Sequence, residues 1–107
     1  MTRNVLFVCG KNRRRSPTAE QVFADHPGIE VASAGLSADA DELLTAELVE
    51  WADVIFVMEQ AQRRKLQTQF KPSLRSARIF CLEIPDRYEF MDPDLVALLR
   101  TKVVRYL

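Results

Sequence analysis

The sequence predicts an α/β fold built on a four-stranded parallel sheet with helices on both faces. Short apolar runs alternate with helix-like patterns along the whole chain, and the connections between them are short. One run, Asp53 to Met58, is apolar enough to be covered on both sides, as strands of a parallel sheet are. The 107 residues fit one domain, spanning 1–107.

The elements follow in order. Val5 to Cys9 reads as a buried strand. Pro17 to Asp25 reads as a helix, with Ser16 suited to the N-cap, Pro17 to the first helical position, and Ala19, Val22 and Phe23 on one face. His26-Pro27-Gly28 stops it. Glu30 to Ser33 is a short strand closed by Gly35. Asp41 to Trp51 reads as a helix that aligns Leu44, Leu48 and Trp51. After the third strand, Gln60 to Phe70 is a polar helix anchored by Leu66 and Phe70, broken at Lys71-Pro72-Ser73. Arg78 to Leu82 is the fourth strand and Ile84 to Met91 a loop. The last helix opens at Asp92-Pro93 and buries Leu95, Val96, Leu99, Val103 and Tyr106.

Composition narrows the function classes. At 48% hydrophobic and 28% charged residues the chain reads as a soluble globular protein, and no apolar run nears the roughly 20 residues of a membrane span. The stretch Met1-Thr2-Arg3-Asn4 leads straight into a strand, so no signal peptide is expected. The formal net charge of +0 argues against binding nucleic acid by bulk electrostatics. Cys9 and Cys81 lie far apart, which fits free thiols and a cytoplasmic location. His26 is the only histidine, and no Cys/His cluster has metal-ligand spacing. Arg63, Arg64 and Lys65 read as a solvated face.

The chemistry concentrates in Cys9-Gly10-Lys11-Asn12-Arg13-Arg14-Arg15-Ser16. Cys9 ends a strand, and a helix starts beyond Arg15. A helix N-terminus, a turn of inward N–H groups and a cation are the features that activate a thiol. Gly10 permits close backbone approach and Asn12 tolerates a left-handed turn. Arg15 can fork two N–H bonds onto a tetrahedral oxyanion, and Ser16 can donate its hydroxyl to the sulfur. In parallel sheets ligands bind at the carboxyl ends of the strands. The Cys9 loop and the Ile84–Met91 loop both leave such ends and can meet in one crevice.

These residues resemble the low-molecular-weight protein tyrosine phosphatases, whose phosphate loop is a cysteine, five residues, an arginine and a serine after the first strand. The likeness continues through Pro17-Thr18-Ala19-Glu20, Ser33-Ala34-Gly35, the run Trp51 to Met58, and Ile84-Pro85-Asp86-Arg87-Tyr88. It implies strand order 2-1-3-4 and phosphomonoester hydrolysis through a cysteinyl-phosphate intermediate, with neither metal nor cofactor. Cys9 is then the nucleophile, Arg15 and the amides of Gly10 to Ser16 hold phosphate, and Tyr88 is a candidate cleft residue. The implied partners are a phosphorylated protein or a small phosphomonoester, with inorganic phosphate or sulfate able to occupy the loop.

An aspartic acid must protonate the leaving oxygen. Asp92-Pro93 copies the family's dipeptide, whereas Asp86 copies the position after the strand and the nearby aromatic. Asp92 also reads as a helix N-cap, already engaged by backbone N–H groups, so Asp86 is the expected acid. The chain departs from the family in its shortness after Gly35, and in carrying Arg13 and Arg14 at small or apolar loop positions. Arg14 stands where many relatives carry a second cysteine, so no disulfide within the loop is expected. The alternatives are an arsenate reductase using an external thiol, with Cys81 the one other cysteine, and a phosphate- or phosphoprotein-binding module with little turnover.

Overall fold

The computed structural model describes residues 2–74 and 77–107, and Met1 of the N-terminal stretch lies outside them. The elements are β1 (Arg3–Cys9), α1 (Arg15–Phe23), β2 (Ile29–Gly35), α2 (Ala46–Trp51), β3 (Val54–Val57), α3 (Gln60–Gln69), a 3-10 turn at Lys71–Ser73, β4 (Arg78–Cys81) and α4 (Pro93–Val104). The strands form one parallel sheet in the order β2-β1-β3-β4, as expected.

Side chains alternate across a strand, so each strand feeds two cores. Val5, Phe7 and Cys9 of β1 join Val54 and Phe56 of β3 in a core closed by Ala19 and Phe23 of α1 and by Leu95, Leu99 and Val103 of α4. Leu6, Val8, Ile55 and Val57 point the other way, where Val49 of α2 and Leu66 of α3 cover them. Phe7 stacks between Phe23 and Phe56, with centroids 5.9 and 5.4 Å away. Truncating such a ring to alanine costs about 3–5 kcal/mol.

Three local expectations are corrected. α1 begins at Arg15, with Arg14 as its N-cap and no side-chain cap, so Ser16 does not cap the helix. Its hydroxyl is used on Cys9 instead. Pro17 still fits, because first-turn N–H groups have no partner within the helix. Residues 41–45 are not helical: Gly35 N–H donates to Glu42 O and Leu44 N–H donates to Gly35 O, extending this segment beside β2. α2 then starts after Thr45, whose hydroxyl accepts from Leu48 N–H. Tyr106 lies beyond α4 and is 37% exposed, with one ring face stacked on Phe80 at 4.1 Å. Val96 is half-buried.

Candidate active site

Because all four strands run the same way, their carboxyl ends share one side of the sheet. Each contributes to one place: the Cys9–Arg15 loop after β1, Ser37 after β2, Glu59 after β3 and Asp86 after β4. The order β2-β1-β3-β4 puts the reversal of connection between β1 and β3, where open α/β sheets bind ligands. The crevice there holds about 400 Å³, with Cys9, Gly10, Lys11, Arg13, Arg14 and Arg15 on one side and Ser37 and Asp86 completing it.

Cys9 is 3% exposed at the crevice floor. Asn12 takes φ 55°, the left-handed turn open to asparagine, and its N–H donates to Cys9 Sγ at 3.2 Å. Asn12 Nδ2 donates to Ser16 Oγ at 2.8 Å, and Ser16 Oγ lies 2.9 Å from Cys9 Sγ. Either Cys9 or Ser16 can donate across that contact, and a Cys9 thiolate would accept from both the Ser16 hydroxyl and Asn12 N–H. The side chains of Asn12 and Ser16 are buried and shape the loop around the sulfur.

The loop leans on the segment after β2. Leu36, Ser37 and Asp41 donate their N–H groups to the carbonyls of Cys9, Gly10 and Lys11. Gly35 makes this approach possible: a Cβ there would lie 2.5 Å from Gly10 O, 2.7 Å from Ala40 Cβ and 3.0 Å from Asn12 N.

Arg15 is 4% exposed. Its Nη1 donates to Glu59 Oε1 at 2.6 Å and to Ile84 O at 2.7 Å, and its Nε stands 3.7 Å from Asp86 Oδ1. Among the described residues, Nε and Nη2 have no hydrogen-bond partner. That edge of the guanidinium has the forked geometry that can pair with two oxygens of a tetrahedral oxyanion. The remaining loop cations also have acidic neighbours. Lys11 meets Asp39 at 3.4 Å, Arg13 meets Asp41 at 3.0 Å, and Arg14 meets Glu89 at 3.7 Å. The hydrogen bond to Asp41 raises the Arg13 pKa above its ordinary value, and attraction to Lys11 holds the Asp39 carboxyl below its own.

The two candidate acids separate. Asp86 lines the crevice with Cys9. Asp92 caps α4, accepting from Asp94 N–H at 2.9 Å, and faces a different surface groove. Tyr88 does not line the Cys9 crevice. It is 9% exposed, packs into the α1/α4 core and faces the Asp92 groove, with the Arg87 guanidinium 5.4 Å over its ring. Thr18 ties the acid-bearing loop to α1: its hydroxyl accepts from Met91 N–H at 2.9 Å and donates to Arg14 O at 2.6 Å.

Sequence reasoning missed Glu59 and the acidic neighbours of the loop cations. Glu59 carried a readable signal, since it directly follows the apolar run of β3 and so sits at a carboxyl end. Gln62 fixes it there by accepting from the N–H groups of Met58 and Glu59. Asp39 and Asp41 carried none, because only the fold of residues 36–41 brings them to the loop. Cys81 packs with the α2/α3 core while Cys9 packs with the α1/α4 core, so the sheet separates the two thiols. That separation disfavours a thiol relay between them.

Residues 4–50 match the family described as low molecular weight phosphotyrosine protein phosphatase. The chain is 32% identical over 117 residues to a Ralstonia solanacearum protein named probable low molecular weight protein-tyrosine-phosphatase EpsP, covering 87% of this chain and 79% of that one. That aligned length exceeds the 107 residues here, so the relative carries residues without a counterpart in this chain. The fold matches the tyrosine phosphatase Wzb from Escherichia coli K30, solved in complex with phosphate, at TM-score 0.79 and 21% identity over 99% of this chain and 96% of that one. It matches the YwlE arginine phosphatase of Geobacillus stearothermophilus equally, at TM-score 0.79 and 21% identity over 97% and 90% of the two chains.

Proposed function

The chain belongs to the low-molecular-weight protein-tyrosine-phosphatase family, and on that premise we propose that it hydrolyses phosphomonoesters with Cys9 as nucleophile, Arg15 as phosphate clamp and Asp86 as general acid and base. The observation that carries this reading is the meeting at one crevice of a thiol held against Asn12 N–H and Ser16 Oγ, the open fork of Arg15 and the Asp86 carboxyl.

In the first step the Cys9 thiolate attacks phosphorus and the bond to the ester oxygen breaks. Asp86 gives its proton to that oxygen, which leaves as the alcohol. In the second step Asp86, now a carboxylate, takes a proton from water. The water oxygen attacks phosphorus, the P–S bond breaks, and inorganic phosphate and the thiolate are released. Arg15 and the loop N–H groups hold the equatorial oxygens throughout, and this preorganised positive charge is the main catalytic term in phosphoryl transfer. Phosphotyrosine on a protein is the substrate we favour, from the named activity of the Ralstonia solanacearum relative. Inorganic phosphate or sulfate would occupy the same loop. Two free thiols fit a reducing compartment such as the cytoplasm, and among the described residues no helix is long and apolar enough to cross a membrane.

Turnover of an aryl phosphate by the wild type, abolished in Cys9→Ser and inhibited by vanadate, is the expected result. Tight phosphate binding without turnover would favour a binding module, and arsenate-dependent consumption of an added thiol would favour a reductase.

A further inference from the structure

We propose that the substrate is a phosphomonoester carrying a second anionic group beside the phosphate, and that Arg14 recognises that group. This rests on the phosphatase reading and specifies its substrate class.

The walls of the crevice recognise charge. The described residues lining it include no aromatic side chain, and Tyr88, the nearest candidate by sequence, is turned into the core. Four cations line it against one carboxylate, Asp86. Their acidic neighbours Asp39, Asp41, Glu59 and Glu89 are not among its lining residues. A phosphate held at Cys9 by Arg15 and the loop amides therefore leaves Lys11, Arg13 and Arg14 facing the rest of the substrate.

These three differ in how firmly they are held. Arg13 donates to Asp41 Oδ1 from Nε at 3.0 Å and to Asp39 O from Nη2 at 3.1 Å, which anchors one edge of its guanidinium with two hydrogen bonds. Lys11 is paired with Asp39 at 3.4 Å. Arg14 has only the 3.7 Å approach to Glu89, longer than a hydrogen bond, between side chains 50% and 85% exposed. Such a pair costs little to open. Arg14 is thus the lining cation whose acidic neighbour approaches least closely, and the one freest to turn to a new anion. Its backbone is firmly placed, because Arg14 O accepts from both Thr18 N–H and Thr18 Oγ1.

The test uses two matched pairs: phenyl phosphate against carboxyphenyl phosphate, and a phosphotyrosyl peptide flanked by Gln against the same peptide flanked by Glu. At low ionic strength the wild type should favour the acidic member of at least one pair by about fivefold in kcat/KM, mainly through KM, and salt should erode the preference. Whichever pair shows it identifies the source of the anion, small molecule or peptide. Arg14→Gln should abolish the ratio, Arg13→Gln should keep it, and Glu89→Gln should enlarge it. Equal kcat/KM within both pairs, or a ratio that survives Arg14→Gln, overturns the proposal. Absence of phenyl phosphate turnover would instead count against the phosphatase reading. Binding of the same pairs to Cys9→Ser protein then decides the proposal alone: acidic preference lost on adding Arg14→Gln supports it, and equal affinities sink it.

Discussion

Arg15 Nη1 lies 2.6 Å from Glu59 Oε1, joining the first residue of α1 to the second residue after β3. The pair settles which edge of the guanidinium is spent on structure and which is left for a ligand. With Nη1 bound to Glu59 and to Ile84 O, the Nε and Nη2 edge is held at the crevice. Glu59→Ala should let the guanidinium drift and lower kcat/KM by about 10- to 100-fold. It should also cost about 1–3 kcal/mol of stability, because a buried charge loses its acceptor. Glu59→Gln, which keeps an acceptor oxygen, should lose less of both. Steady-state kinetics with thermal denaturation of the two variants checks this, and wild-type kinetics in Glu59→Ala would contradict it.

Asp86 and Asp92 should separate by readout. Asp86→Asn should lower kcat by about 100-fold or more with little change in stability, since its exposed side chain makes one 3.7 Å approach to Arg15. Asp92→Ala should leave turnover near wild type and cost about 1 kcal/mol through loss of the α4 cap. An inverted pattern in paired kinetics and denaturation curves would move the acid role to Asp92.

Gly35→Ala should damage the phosphate loop from behind. The new methyl would collide with Gly10 O, Ala40 Cβ and Asn12 N. Two of those contacts are backbone, so relief requires moving the loop, at about 1–3 kcal/mol. Because Asn12 N–H is the donor to Cys9 Sγ, turnover should fall together with stability. Full activity in a folded Gly35→Ala protein would show that the loop tolerates the shift.

Acid should weaken the strap between residues 36–41 and the loop. Asp39 titrates below its ordinary value when folded, held down chiefly by the charge of Lys11. A carboxyl with a depressed folded pKa adds stability above its unfolded pKa and loses it as pH falls through the folded one. The Lys11–Asp39 contribution is thus complete at neutral pH and lapses below about pH 4. The Tm difference between wild type and Asp39→Asn should therefore narrow from pH 7 to pH 3, and it should be small and salt-sensitive because both side chains are exposed. A difference that widened on acidification would rule this pair out as its source.

Alternation of apolar runs with helical patterns determined the four parallel strands, because strands and helices bury side chains with different periods. The order of Cys9, Arg15 and Ser16 after a strand likewise determined where a thiol and a guanidinium fork would stand, since both lie within one short connection. Local rules failed where long-range hydrogen bonds outweighed them: Ser16 left the cap for the sulfur, and residues 41–45 joined β2 rather than α2. Only the tertiary structure decided that Glu59 holds Arg15, that Tyr88 turns away from the Cys9 crevice which Asp86 lines, and that the sheet divides Cys9 from Cys81. Each joins residues distant in sequence, and their meeting depends on strand order and on which face of the sheet a side chain takes.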